Sequence, residues 1–110
     1  MDVPEIDVAQ LAARPAESTS LIDVRRPEEF AVARVPGARL IPLGELVERI
    51  EEVPTEGTVY VICATGARSA KAAAHFRSLG IDAVNVAGGT KAWMEAGLPT
   101  DQAGSEAGAG

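Results

Sequence analysis

The only cysteine of the 110-residue chain, Cys63, stands at the head of a stretch whose residue types suit nucleophilic chemistry. Cys63-Ala64-Thr65-Gly66-Ala67-Arg68-Ser69 follows directly on the apolar run Thr58-Val59-Tyr60-Val61-Ile62. The run reads as a strand and the residues from Ser69 onward as a helix. Cys63 is therefore expected at the carboxyl end of a strand, where open parallel sheets bind ligands. Small residues and Gly66 let successive main-chain N–H groups turn inward, and such a nest at a helix N-terminus stabilises negative charge. A thiol placed there ionises more readily than a free one, and the thiolate is the nucleophile. Arg68 adds a fixed cation able to hold a loop carbonyl, a carboxylate or a bound oxyanion. The expectation is a thiolate, reachable from solvent, facing a cradle for an anion. A lone cysteine is more often a small buried hydrophobe. Here strand end, glycine-containing loop, arginine and helix start occur in order within seven residues, which reverses that reading.

The elements that must position this loop alternate along the chain. Asp7-Val8-Ala9-Gln10 is a capping box opening a short helix through Ala13. Ser20-Leu21-Ile22-Asp23-Val24 reads as a strand. Pro27-Glu28-Glu29-Phe30 places a proline and two acids as in a helix first turn. Val35-Pro36-Gly37-Ala38 is a turn and Arg39-Leu40-Ile41 a second short strand. Leu46, Val47 and Ile50 have helical spacing, which predicts a helix over residues 45–51 with Glu45, Glu48, Glu51 and Glu52 on a solvated face. The run Thr58 to Ile62 is apolar on both faces, as in a central parallel strand covered by helices. Ser69 to Leu79 reads as a helix stopped by Gly80, Ala83 to Val86 as a strand, and Thr90 to Ala96 as a last helix. The class expected is α/β with a mostly parallel sheet.

Bulk properties narrow the function. The length suits one domain, expected over residues 4–99. Residues 100–110, rich in Gly and Ala, contain no strong apolar anchor and are expected to be disordered. A hydrophobic fraction of 46% with only 4% aromatics means a core of Val, Ile, Leu and Ala. The formal net charge of −6, with no basic block, disfavours nucleic-acid and anionic-membrane partners. One thiol cannot form an internal disulfide, and the acidic first residues have no apolar h-region. The expected location is the cytoplasm. With one cysteine and one histidine, no structural zinc site is expected, and no cofactor is implied. His75 is expected on the solvated side of its helix, so a Cys/His dyad is not.

The stretch Cys63-Ala64-Thr65-Gly66-Ala67-Arg68-Ser69 resembles the active-site loop of the rhodanese family: Cys, two residues, Gly, one residue, Arg-Ser. Leu21-Ile22-Asp23-Val24-Arg25 with Pro27-Glu28-Glu29-Phe30 is similar to the family's N-terminal signature. Val35-Pro36-Gly37-Ala38 resembles its Pro-Gly-Ala turn. Val86-Ala87-Gly88-Gly89, Trp93 and Gly97-Leu98-Pro99 resemble its C-terminal signature. The likeness spans about ninety residues in order. It implies a five-stranded, mostly parallel sheet with helices on both faces, and a sulfurtransferase. Cys63 would take sulfur from a sulfane donor such as thiosulfate as a persulfide and pass it to cyanide, a thiol or a sulfur-carrier protein. Ala64, Thr65, Gly66, Ala67, Arg68 and Ser69 would form the substrate loop.

By the same resemblance Asp23 and Arg25 lie on the active-site side. Their expected role is supporting, as an ion pair that braces loops. Two features depart from the family pattern. Arg34 stands where histidine is common, at a position expected to be structural. Arg68 is the only cation of the loop, which weakens the expectation of thiosulfate as the donor. Three other readings stay open: a sulfur-relay or binding module without small-molecule turnover, a phosphatase or arsenate reductase using the same loop, and a non-catalytic scaffold. The four residues between Cys63 and Arg68 argue against the phosphatase. Related phosphatases have one residue more, giving a ring wide enough for phosphate.

Overall fold

The computed structural model describes residues 2–102. Five strands form one sheet: β1 (Glu5–Ile6), β2 (Ser20–Asp23), β3 (Arg39–Leu40), β4 (Thr58–Ile62) and β5 (Asp82–Val86). Their order is β1-β5-β4-β2-β3, and every pairing is parallel. Helices α1 (Val8–Ala12), α2 (Pro27–Val32), α3 (Ala67–Ser78) and α4 (Gly89–Glu95) alternate with them. The class is the α/β arrangement that the alternation predicts.

Strand β4 is central because both its faces are apolar. Side chains alternate across a strand, so Val59, Val61 and Cys63 enter one core layer and Tyr60 and Ile62 the other. The first layer receives Ala72, Ala73 and Phe76 of α3. The second receives Leu11 of α1 and Trp93 of α4. The Trp93 indole donates from Nε1 to the Pro99 carbonyl at 2.7 Å, which fastens the segment after α4 to the core. The lateral progression of the strand order reverses between β4 and β2, since β4 is followed by β5 on one side and β2 by β3 on the other. Asp23 and Ile62 are register partners at this switch point. Cys63 follows Ile62 at the place where such sheets bind ligands.

Several boundaries differ from the sequence reading. The helix expected over residues 45–51 is instead two short 3-10 turns, Leu43–Glu45 and Ile50–Glu52. Only Leu46 of its apolar set is buried; Val47 is 75% exposed. One buried residue does not hold a helix face to a core, and most helical stability comes from such packing. Arg49 braces the segment from outside, bonding Glu45, Glu52 and the Leu40 carbonyl. The two-residue strand β1 had no sequence signal. It exists because Asn85 N–H and Ala87 N–H donate to the Pro4 and Ile6 carbonyls at 2.8 Å each. Leu79, expected as the last residue of α3, is its C-cap and is 53% exposed. At the far end, Asp101 pairs with Arg34 through two backbone hydrogen bonds of 2.9 Å, past Pro99 where the sequence reading ended the domain. The rest of the tail expected to be disordered, residues 103–110, lies outside the described residues.

Candidate active site

Strand β4 delivers Cys63 to the sheet's carboxyl edge, and the chain turns at once. Gly66 takes φ +106 as the N-cap of α3, a conformation that side-chain-bearing residues rarely adopt. The turn brings Gly66 N–H to 3.1 Å from Cys63 Sγ. Helix α3 begins at Ala67, two residues before the sequence reading placed it, so Ala67, Arg68 and Ser69 form its first turn. Ser69 Oγ lies 3.3 Å from the same sulfur.

The carbonyls of the loop are held from behind. Thr90 donates to the Cys63 carbonyl from its N–H at 2.8 Å and from Oγ1 at 3.1 Å. Lys91 N–H reaches the Ala64 carbonyl at 3.0 Å. This approach is possible because Gly89 has no side chain. A Cβ there would stand 2.5 Å from the Cys63 carbonyl oxygen, and the backbone is at φ +61. With the carbonyls turned toward the start of α4, the amides face the sulfur, as the nest argument requires.

Burial pushes the Cys63 thiol up. The Ser69 hydroxyl, when its hydrogen faces the sulfur, and the amides of Ser69, Gly66 and Thr65 pull it down, and the net direction is below the ordinary 9.0. The expected openness is not found. Cys63 is 1% exposed, because the ring of amides closes on the sulfur and β4 packs it against the α3 layer. Any reagent that meets this sulfur must pass the ring or displace part of the loop.

Arg68 takes the carboxylate among its three possible partners. Its guanidinium forms a two-pronged pair with Glu29 of α2, Nη1–Oε1 2.9 Å and Nη2–Oε2 3.0 Å. This holds the Glu29 carboxyl down at about 2 and keeps Arg68 protonated. Glu29 also caps its own helix, accepting from Arg26 N–H at 3.0 Å. The fixed cation is thus neutralised at the mouth of the cradle.

Asp23 and Arg25 form a buried ion pair. Arg25 donates from Nε and its backbone N–H to Asp23 Oδ1 at 3.0 Å, and from Nη2 to Oδ2 at 2.8 Å. Nη2 also reaches the Ala33 carbonyl at 2.7 Å and Nη1 the Glu29 carbonyl at 3.4 Å. The pair therefore ties the end of β2 to the last turn of α2, and α2 carries the partner of Arg68. Arg34 stacks on Phe30, with its guanidinium carbon 4.7 Å from the ring centre. His75 sits in the last turn of α3, about 12 Å along the helix from its first residue, too far for a dyad with Cys63.

Sequence reasoning missed four participants: Glu29, Asn85, Glu5 and Thr90. Asn85 is a buried polar residue on β5, 1% exposed, and accepts from the Ser69 hydroxyl at 2.6 Å. Its Nδ2 donates to Glu5 Oε2 at 2.8 Å and to the Gly66 carbonyl at 3.2 Å. An asparagine inside an otherwise apolar strand was the one available signal.

Comparison with known proteins places this geometry. The family model of the rhodanese-like domain matches residues 7–96. The chain belongs to the rhodanese-like domain family. It is 38% identical over 100 residues to a sulfurtransferase of Allochromatium vinosum, covering 88% of this chain and 94% of that one. It is 37% identical over 90 residues to an adenylyltransferase and sulfurtransferase of Ogataea parapolymorpha, covering 80% of this chain but only 23% of that protein. The crystal structure of a rhodanese-related protein from Thermoplasma volcanium superposes with a TM-score of 0.84 at 33% identity, over 89% of this chain and 97% of that one. The rhodanese-like architecture read from the loop and its flanking signatures is the observed one.

Proposed function

We propose that the protein is a sulfurtransferase that carries sulfane sulfur as a persulfide on Cys63. The observation that carries this reading is the donor set around one sulfur at a strand end: the Gly66 N–H at 3.1 Å, with the loop carbonyls turned away. The Cys63 thiolate attacks the outer sulfur of the donor. The donor's S–S bond breaks and its electron pair leaves with the remaining fragment, sulfite when the donor is thiosulfate. The new Cys63–S–S⁻ is then attacked by a thiophile, which takes the outer sulfur and returns the thiolate. This is covalent catalysis in two half-reactions.

The paired Arg68 bears on the donor. With its charge neutralised by Glu29 and with Ala64, Thr65 and Ala67 uncharged, the cradle offers main-chain dipoles and little net positive charge. A singly charged persulfide suits it better than doubly charged thiosulfate. The same observation favours the relay reading, in which a persulfidated thiol or carrier protein exchanges sulfur with Cys63. It disfavours phosphate chemistry, because the guanidinium that would clamp a phosphoryl group already holds a carboxylate. Initial-rate kinetics test the proposal. Thiocyanate formation from cyanide, with parallel double-reciprocal lines as either substrate is varied and no turnover in Cys63→Ser, is the expected result. Intersecting lines, or turnover surviving in Cys63→Ser, would refute it.

A further inference from the structure

The buried chain Cys63–Ser69–Asn85–Glu5 contains one contested hydrogen. Ser69 Oγ lies 2.6 Å from Asn85 Oδ1 and 3.3 Å from Cys63 Sγ. A hydroxyl has a single hydrogen to give. The orientation of Asn85 decides where it goes. Its two Nδ2 hydrogens meet Glu5 Oε2 at 2.8 Å and the Gly66 carbonyl at 3.2 Å, and neither oxygen carries a hydrogen to return. Exchanging the amide oxygen and nitrogen would set oxygen against oxygen at both contacts. Oδ1 must therefore face Ser69, and two oxygens 2.6 Å apart need a hydrogen between them, which only Ser69 can supply. Ser69 is fully buried and Asn85 nearly so, and in such surroundings an unmade hydrogen bond is expensive.

We propose that Asn85 is a positioning residue that keeps the Ser69 hydroxyl hydrogen turned away from Cys63, leaving the main-chain amides as the sulfur's hydrogen-bond donors. A thiol at Cys63 can donate to the free lone pair of Ser69; a thiolate cannot. In the persulfide the negative charge resides on the outer sulfur, and Sγ no longer needs the donor. The arrangement thus withholds stabilisation from the unloaded thiolate and not from the loaded form. It makes Cys63 a poorer leaving group and retains bound sulfur until an acceptor arrives. This consequence rests on the sulfur-transfer reading; the hydrogen placement does not.

The test is the pH dependence of Cys63 alkylation by iodoacetamide, which requires no sulfur donor. Ser69→Ala in the native background should change the rate at pH 7 less than two-fold. Asn85→Ala frees the hydroxyl for the sulfur and should shift the profile about one pH unit lower, about ten-fold more thiolate, the worth of one charge-assisted hydrogen bond. Adding Ser69→Ala to Asn85→Ala should abolish that gain. The proposal fails if Ser69→Ala alone lowers the rate about ten-fold, since the hydroxyl would then already serve the sulfur. It fails equally if the gain persists in the double variant, since the cause would then be a disturbed loop. Should Asn85→Ala not fold, the single Ser69→Ala result decides.

Discussion

Replacing Glu29 with glutamine should turn the cradle toward doubly charged donors. Gln keeps the oxygen that accepts from Arg26 N–H, so the start of α2 is preserved. What is lost is the charge that neutralises Arg68. The pair is about one-third exposed on each side, 35% and 32%, so its field is screened to an effective dielectric between that of a protein surface and water. For a donor charge brought within about 6 Å of the guanidinium, at an effective dielectric of about 50, uncovering the cation gains on the order of 1 kcal/mol per unit of donor charge. Thiosulfate then gains about 2 kcal/mol, roughly thirty-fold in kcat/KM, and a singly charged persulfide about 1 kcal/mol, roughly five-fold. Breaking a pair this exposed costs about 1 kcal/mol of stability at most, a melting shift of about 4–8 °C. The assay is kcat/KM for thiosulfate and for the singly charged persulfide of 2-mercaptoethanol, in parallel, at low ionic strength. A thiosulfate value that stays level or falls while the persulfide value holds would refute the electrostatic argument. The stability effect has a definite pH window. Glu29 is lowered from 4.5 to about 2 by Arg68, so its contribution is complete above pH 4.5 and is lost as pH falls toward 2. The Glu29→Gln variant should lack that part of the acid transition.

Three further outcomes follow from the geometry. Arg25→Ala leaves the fully buried Asp23 carboxyl without its ion-pair partner, and should cost about 3–5 kcal/mol in urea unfolding. Gly89→Ala must shift either α4 or the Cys63 carbonyl and strains a backbone at φ +61, so it should destabilise the fold by about 1–2 kcal/mol or more and slow Cys63 alkylation at neutral pH. The ultraviolet thiolate absorbance of the native protein, with Cys63→Ser as blank, should titrate with a midpoint below 9.0; a midpoint above it would mean that burial outweighs the amides.

What the sequence made legible was local. Thr58 to Ser69 is one continuous stretch, and its strand, its tight turn and, to within two residues, its helix start follow from residue types alone. Partners brought together only by the fold left no such trace. Glu29 and Arg68 are 39 residues apart, and in sequence Glu29 is simply an acid in a helix first turn. Asn85 meets Glu5 across 80 residues, through a strand of two residues too short to carry a pattern. The spurious helix at residues 45–51 arose because spacing alone does not reveal which apolar residues find a core; Val47 does not. The covered sulfur has the same origin. Small loop residues indicate that amides can turn inward, but not how closely they shut.

If Cys63 accepts and surrenders a single sulfur atom, intact-protein mass spectrometry after brief exposure to glutathione persulfide or thiosulfate will show it. The expected result is a gain of one sulfur, removed by cyanide and absent in Cys63→Ser. No gain from either donor, in protein whose Cys63 still alkylates, would contradict it.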